Sequence, residues 1–307
     1  MSSISQAPPM AVGHAVQKVE ATQPRRRSSR SLWWRHALAI VALLWSLFPI
    51  VFIISAALNP SGTLNTAELF PKTLSLTNFD ALFTDSARPY LTWYKNSMVI
   101  AGSGAMASVF IGSCAAYAFS RMRFTGRRPG LLALLLLQMF PALLAFVALY
   151  TTFVAVGDVL PAFGINTSAG LILAYLGGAM GANVWLLKGY FDTVPRELDE
   201  AAKVDGASHA RIFFTMTLRL VMPILVTVFM LSFVGLFGEF MLASIFLRDV
   251  DSQTLGVGLW AMIQKGNMNQ YFGQFCAGAV LASLPVVLLY LGFQKQLVGG
   301  LTQGSVR

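Results

Sequence analysis

Charge is what this chain has least of. Only 11% of its 307 residues are charged, against about 25% in an ordinary soluble domain. Acidic residues are scarce, with 13 Asp and Glu, and there are 3 His and 2 Cys. His14, His36 and His209 are scattered, and no His/Cys/Asp/Glu set has metal-ligand spacing. No Ser/His/Asp set converges, so the sequence offers no catalytic residues and no metal site. A Gly-x-x-x-x-Gly-Lys-Ser/Thr phosphate loop is missing, so any ATP hydrolysis belongs to another chain, and no cofactor is implied. Cys114 and Cys276 both fall in apolar stretches; they read as small residues in helix packing rather than as a disulfide framework.

Long hydrophobic runs are present instead. Hydrophobic residues make up 56% of the chain. Runs of about 20 apolar residues identify membrane-spanning helices, and six are predicted, over 37–58, 97–119, 131–156, 170–187, 220–246 and 276–293. The fold class is therefore an all-α integral membrane protein with six transmembrane helices. The net charge of +9 points to membrane orientation and not to nucleic acid, because Lys and Arg mark cytoplasmic loops. With the N-terminus inside, all of the 22 Lys and Arg except Lys72, Arg88, Lys95, Arg248 and Lys265 lie on the inner side. Both termini and the 188–219 loop are thereby expected in the cytoplasm.

Residues 1–31, rich in Ser, Ala, Pro, Gln and Arg, read as a disordered cytoplasmic tail. Arg25, Arg26 and Arg27 orient the first helix and touch anionic membrane lipid. Residues 32–298 form the transmembrane domain, and 299–307 a glycine-rich cytoplasmic tail. The first outer loop, 59–93, holds a turn at Asn59-Pro60-Ser61-Gly62 and a short helix over 76–83. The third span carries Gln138 and Pro141 in mid-helix, which a membrane helix tolerates where neighbours satisfy the freed carbonyl. In the fourth, Gly177 and Gly181 form a small-xxx-small pair, suited to a close helix crossing or, second, to lining a substrate path. Glu239 is a carboxylate inside the fifth span. It is an intramembrane functional candidate, or else a residue near the outer interface that pairs or snorkels.

The polar loop at about 192–219 carries the most specific signal. It contains Glu200-Ala201-Ala202-Lys203-Val204-Asp205-Gly206-Ala207. Pro195 suits a first helical position, and Glu197, Asp199 and Glu200 favour the positive end of the helix dipole. Leu198, Ala201 and Ala202 fall on one side. Gly206 can take a left-handed C-terminal conformation, and Ser208 can cap a second helix. On that helix Phe213, Met216 and Leu220 are expected to share a face. The product is a helix–turn–helix knob between two spans.

This segment resembles the EAA loop of permease subunits of bacterial ABC importers. Further landmarks are similar to the shorter permease subunit of maltose/maltodextrin importers and their trehalose-transporting relatives: residues 115–124 (AAYAFSRMRF), 138–141 (QMFP), 174–178 (AYLGG), 188–191 (KGYF), 247–250 (LRDV) and the tail from Leu297 to Arg307. They run from about residue 97 to the end, and weakly through the first span. One departure is Arg219, where the family commonly has proline; Pro223 remains, and Arg219 is expected to extend the second helix.

The resemblance implies a type I (MetI-like) ABC importer permease fold in the bacterial inner membrane. It implies a second permease subunit, two ATP-binding subunits and an extracytoplasmic sugar-binding protein as partners. Glu200, Ala201, Ala202, Asp205, Gly206 and Phe213 would form the ATPase-coupling loop. Gln264, Lys265, Asn267, Asn269 and Gln270, on the outer side, would touch the binding protein and help release sugar; an ordinary solvated hairpin is the alternative. Thr302, Gln303 and Ser305 in the tail would enter the interface of the ATPase pair, unless the tail is merely frayed. The competing function is a self-contained secondary carrier or channel. It would need ion-coupling groups in the membrane, and only Glu239 is available. A membrane-bound enzyme is disfavoured by the missing catalytic residues.

Overall fold

The computed structural model describes residues 33–264 and 266–302. The expected tail 1–31, Lys265, Gln303 and Ser305 lie outside them. The chain divides into two units at Pro49, inside α1 (Trp33–Leu58). In the first unit the helix, apart from Arg35, His36 and Ser46, is apolar and exposed, with Trp33, Leu44 and Trp45 facing outward. A helix without a polar face belongs in lipid. At 26 residues α1 is about 39 Å long, more than the roughly 30 Å of hydrocarbon it has to cross.

The second unit is built around α3 (Tyr90–Arg121). Its buried positions include Ala101, Ala105, Ser108, Gly112 and Ala116, all small and recurring every three or four residues. Small residues at that spacing let helices approach closely. α6 (Ser168–Phe191), α10 (Met222–Phe237) and α12 (Leu255–Met262) all pack on α3. Asn183 joins three of these helices, donating to Ser108 Oγ at 2.7 Å and to Ser232 Oγ at 3.4 Å.

Among the described residues, four helices are long and apolar enough to cross a membrane, or up to six if each of two bent pairs counts as one span. Two predicted spans are broken. The run over 131–156 is not one helix with proline inside it: α4 (Arg127–Gln138) ends, and α5 (Ala142–Val159) starts after an extended Pro141. Proline lacks an N–H and pushes the preceding residue out of helical geometry. The freed turn tightens, with Met139 N donating to Leu136 O and Phe140 N to Leu137 O. The run over 220–246 is likewise interrupted between α10 and α11 (Met241–Phe246). Ahead of it, the loop is folded into α7 (Arg196–Val204), α8 (His209–Ile212), a π-turn over Phe213–Thr217 and α9 (Leu218–Leu220). The helical stretch ending at Leu220 meets α10 at a bend of 79°. α6 is also bent, by 58° between Ser168–Gly178 and Asn183–Phe191. Of the expected glycine pair, only Gly181 makes a close approach: a Cβ there would lie 2.7 Å from Gln138 Cγ, while one on Gly177 would meet nothing.

The far end of α3 lies in a separate core with α2 (Thr77–Thr84), α12 and the start of α13 (Met268–Thr302). Asn78 is buried there and donates to Ala57 O at 2.9 Å and Asn59 O at 2.8 Å, satisfying carbonyls at the end of α1. Trp93 is 1% exposed and donates Nε1–H to Val250 O at 2.7 Å. Its indole packs against Gly258 of α12, where a Cβ would sit 2.2 Å from ring atoms. Gly258→Val therefore has to displace a large buried ring. Overpacking of this kind costs about 1–3 kcal/mol or more. We expect a lower melting temperature in detergent than for Gly235→Val, where no atom lies near the missing Cβ and β-branching is the main penalty. Equal melting temperatures would show that α12 can shift freely on α3.

Candidate functional site: the helix–turn–helix knob

The knob is built as its residue types require, with two differences. Pro195 is the N-cap of α7, one position ahead of the first helical residue. At the other end Gly206 has φ +81°; Gly206 N donates to Lys203 O at 3.0 Å and Ala207 N to Ala202 O at 2.9 Å. This is the Schellman arrangement, which needs a left-handed residue at that position. Ser208 caps α8, accepting from Arg211 N at 3.3 Å. The second difference is the π-turn. It holds one residue more than an α-turn, so Phe213, Met216 and Leu220 do not share a buried face. Ile212, Phe213 and Thr217 point inward, and Leu220 is exposed. The helix continues through Arg219 to Leu220, as expected for a non-proline residue there.

The predicted coupling residues separate into two groups. Glu200, Ala201, Asp205 and Gly206 are exposed. Ala202 and Phe213 are buried and hold the knob instead of forming its surface. Phe213 packs 5.0 Å from the Tyr117 ring of α3, and Tyr117 packs edge-on to Phe191 of α6 at 6.3 Å. Leu198 and Val204 are exposed at the same time, Val204 by 89%. With Ala201 between them they make an apolar strip at i, i+3 and i+6 along α7.

Sequence reasoning missed the residue that seats the knob. Asp199 is buried on the inner face of α7. Its Oδ2 lies 2.9 Å from Nε of Arg121, the last residue of α3, with side chains only 9% and 4% exposed. The approach is out of line for a hydrogen bond, so the contact is between charges. Arg121 Nη2 also donates to Val194 O at 2.7 Å. The end of α3 collects two more arginines: Arg127 Nε donates to Phe119 O at 2.6 Å, and Arg196 Nη2 to Ser120 O at 3.4 Å. These are carbonyls that a helix end leaves unpaired. Ser120 Oγ and Lys188 Nζ both donate to Asp192, at 2.6 and 2.5 Å. Burial pushes the Asp192 carboxyl up, but those hydrogen bonds and the charges of Lys188 and Arg127 outweigh it and hold it below the usual carboxylate range. Its contribution to stability is present at neutral pH and is lost in acid, as pH falls through the depressed value. The signal for Asp199 was present in the sequence: it lies three residues before Ala202, on the same helix face.

Glu239 occupies the gap between α10 and α11. Its carboxylate accepts Leu242 N–H at 2.8 Å and Ala243 N–H at 3.0 Å, and the Tyr175 hydroxyl donates to it. It caps the start of α11, so its groups are satisfied within the protein. On the other side of the unit, Gln264 and Asn267 lie in a turn with Gly266 at φ +84°. Asn269 and Gln270 do not belong to that loop but to the first turn of α13. The Asn269 side chain accepts Asn65 N–H at 3.0 Å. Nearby, the Arg88 guanidinium lies 3.6 Å above the Tyr271 ring and pairs with Asp85 at 2.8 Å. The helical backbone of α13 continues through Gly299 and Gly300 to Thr302, where an irregular tail was expected.

A family model described as "Binding-protein-dependent transport system inner membrane component" matches residues 108–302. The chain belongs to this family. The maltose/maltodextrin transport system permease protein MalG of Vibrio vulnificus is 40% identical over 287 residues, covering 90% of this chain and 96% of the relative. The Escherichia coli K12 protein of the same name is 38% identical over 296 residues, covering 93% and 98%. A chain from a crystal structure of a bacterial ABC transporter involved in alginate import has TM-score 0.75 at 22% identity, over 89% of this chain and 99% of that one. A second, from an alginate transporter in complex with an alginate-bound periplasmic protein, has TM-score 0.62 at 14% identity over 86% and 93%. These two share the fold, that of an ABC importer permease.

As an inner-membrane component of such a system, the permease carries its knob, Glu239 and the 264–270 segment within the matched region, whereas α1 and α2 lie before it. The buried charge pair gives the site a sharp test. Removing one partner of a buried pair leaves an uncompensated charge, at a cost of about 3–5 kcal/mol. Asp199→Ala should therefore loosen the knob, read as faster proteolysis and hydrogen exchange over 196–217, whereas Glu200→Ala should not. Arg121→Met combined with Asp199→Leu should recover most of the protection. If Asp199→Ala and Glu200→Ala behave alike, the pair does not seat the knob.

Proposed function

We propose that this permease is half of the translocation pathway of an ATP-driven importer for a maltodextrin-class sugar. Maltose/maltodextrin is the first assignment and trehalose the second. The relatives at 38–40% identity over nine-tenths of the chain support the sugar class. In this reading a second permease subunit completes the pathway, two separate subunits hydrolyse ATP, and an extracytoplasmic binding protein delivers the sugar. The observation that carries the coupling role is the exposed strip of Leu198, Ala201 and Val204, flanked by Glu200 and Asp205, on a helix whose opposite face is locked by Asp199 and Ala202. An apolar helix face with charged flanks suits a groove on a partner. The distribution of Lys and Arg supports a cytoplasmic knob and cytoplasmic termini. The carrier-or-channel alternative depends on Glu239, whose carboxylate is engaged as a helix cap; that favours the subunit reading.

Gly206→Val tests the coupling role. A β-branched residue at φ +81° is strongly disfavoured, so transport and sugar-stimulated ATP hydrolysis should fall while membrane insertion persists. Wild-type transport in this variant would remove the loop from the mechanism. On the outer side, replacing 264–270 with Gly and Ser should reduce stimulation of ATP hydrolysis by the binding protein. Unchanged stimulation would make this segment an ordinary solvated turn. Deleting 299–307 is expected to uncouple sugar delivery from ATP hydrolysis with the complex still assembled; normal coupled transport would assign the tail no role at the ATPase interface.

A further inference from the structure

At its start, α12 is capped by another helix. The first N–H groups of a helix have no partner within it. Leu255 N–H donates to Ser97 Oγ of α3 at 2.8 Å, in a buried contact. Thr254 stands at the N-cap of α12, with extended backbone at φ −79° and ψ 162°. Its carbonyl accepts Gly258 N–H at 2.9 Å, closing the first helical turn. A threonine in this place ordinarily turns its hydroxyl onto the N–H of the second or third helical residue, here Gly256 or Val257. Thr254 does not, and its side chain makes no cap hydrogen bond. The residue is 4% exposed, and its Oγ1 is buried without a hydrogen-bond partner. A buried hydroxyl left unpaired costs stability, whereas an apolar group of the same shape is nearly neutral or better. In this arrangement valine would suit position 254 at least as well as threonine.

We propose that Thr254 is a reserve cap. While α12 is docked, Ser97 accepts from its first turn. When Leu255 leaves Ser97, the Thr254 hydroxyl takes over by rotating about its Cα–Cβ bond, because the backbone already has the N-cap form. α12 can then part from α3 as an intact helix instead of fraying from its first turn. Two features place such a movement here. α12 has eight residues, too few to stay helical without packing or caps. Its first turn also borders the interruption between α10 and α11, since a Cβ on Gly256 would lie 4.0 Å from Glu239 O. A change of angle at that break is therefore felt beside the Leu255–Ser97 bond. The segment before it is anchored separately, with Trp93 donating to Val250 O and Asn96 to Asp251 O and Gln253 O. Thr254 thus sits between a fixed strip and a helix that can release. The consequence for transport rests on the proposed contact of the 264–270 segment with the binding protein, because α12 leads into that segment. The exchange of caps itself does not rest on it.

The test uses the complete importer with its partner subunits in nanodiscs, and reads hydrogen exchange over 255–262 by mass spectrometry. Thr254→Val is compared in two backgrounds. With Ser97 present the hydroxyl is idle, so exchange should be unchanged or slower. With Ser97→Ala the hydroxyl carries the cap, so Thr254→Val should speed exchange about fivefold, the loss of a typical N-cap. Thr254→Ser keeps a capping hydroxyl and should match threonine in both backgrounds. Ser97→Cys, a weak acceptor, replaces Ser97→Ala if that importer does not assemble. The same effect of Thr254→Val in both backgrounds, whether faster or slower, overturns the inference. Stimulation of ATP hydrolysis by the binding protein, measured on the same samples, reports separately on the proposed contact. It should fall in Thr254→Val, where α12 has no cap with which to leave α3. Unchanged stimulation together with the background-dependent exchange would keep the reserve cap and remove α12 from the response to the binding protein.

Discussion

One ion pair sets the geometry of everything on the knob side of this permease. Arg121 ends the 32-residue helix α3, and Asp199 begins the inner face of α7. A guanidinium is suited to this place and an ammonium is not. From one planar group it reaches the Asp199 carboxylate and the Val194 carbonyl while its stem fills the joint. Burying the pair gains little net stability over apolar residues of the same size. What it fixes is register: the carboxylate admits one seating of α7 on α3, and the aromatic cluster of Tyr117, Phe191 and Phe213 fills the space that seating leaves. The exposed strip on α7 is thus presented at one angle.

The same constraint, that polar groups away from water need partners, explains the breaks in the spans. A helix interruption frees backbone groups, and lipid offers them nothing. Each interruption here has a local remedy. Tightened turns close α4 before Pro141. Glu239 takes two N–H groups at the start of α11 and is itself bonded by Tyr175. Thr167 accepts Gly170 N–H at the start of α6. An ionisable residue in a membrane span usually signals transport chemistry; in this chain the carboxylate answers to a helix end, and the break came with its own cap.

These differences mark what a linear pattern can and cannot carry. The apolar runs, the left-handed Gly206 and the Ser208 cap were legible because each depends on local chemistry alone. The short helix over 76–83 appears as α2, displaced by one residue. The breaks at Pro141 and Glu239 were not seen, because an apolar run reads the same whether its helix continues or turns. The π-turn at Phe213–Thr217 defeated the face assignment for Leu220, since one extra residue per turn rotates every later side chain and leaves no composition signal. Ala202 sat correctly on a helix but was assigned to the wrong face. Its direction follows that of Asp199, three residues earlier on the same face, which pairs with Arg121, 78 positions before it in the chain.

The unbroken course of α3 gives these local facts a shared consequence. Its last turns lie in the core that holds the knob, with Tyr117 against Phe213. Its first turns lie in the core shared with α2, α12 and the start of α13, with Trp93 against Gly258 of α12. At 32 residues it is about 48 Å long, enough to join the two without a joint of its own. α4 and α5 are separated by Pro141, α10 and α11 by Glu239, and α6 is bent. Packed interiors transmit displacement because they compress little. In the proposed importer, therefore, a push on α7 reaches α12 through one rigid element, while the broken helices beside it are free to change angle. Rigid-body rocking about a midplane site requires that combination of one stiff strut and several hinges. The ion pair at the foot of the strut is where force from a partner would enter it.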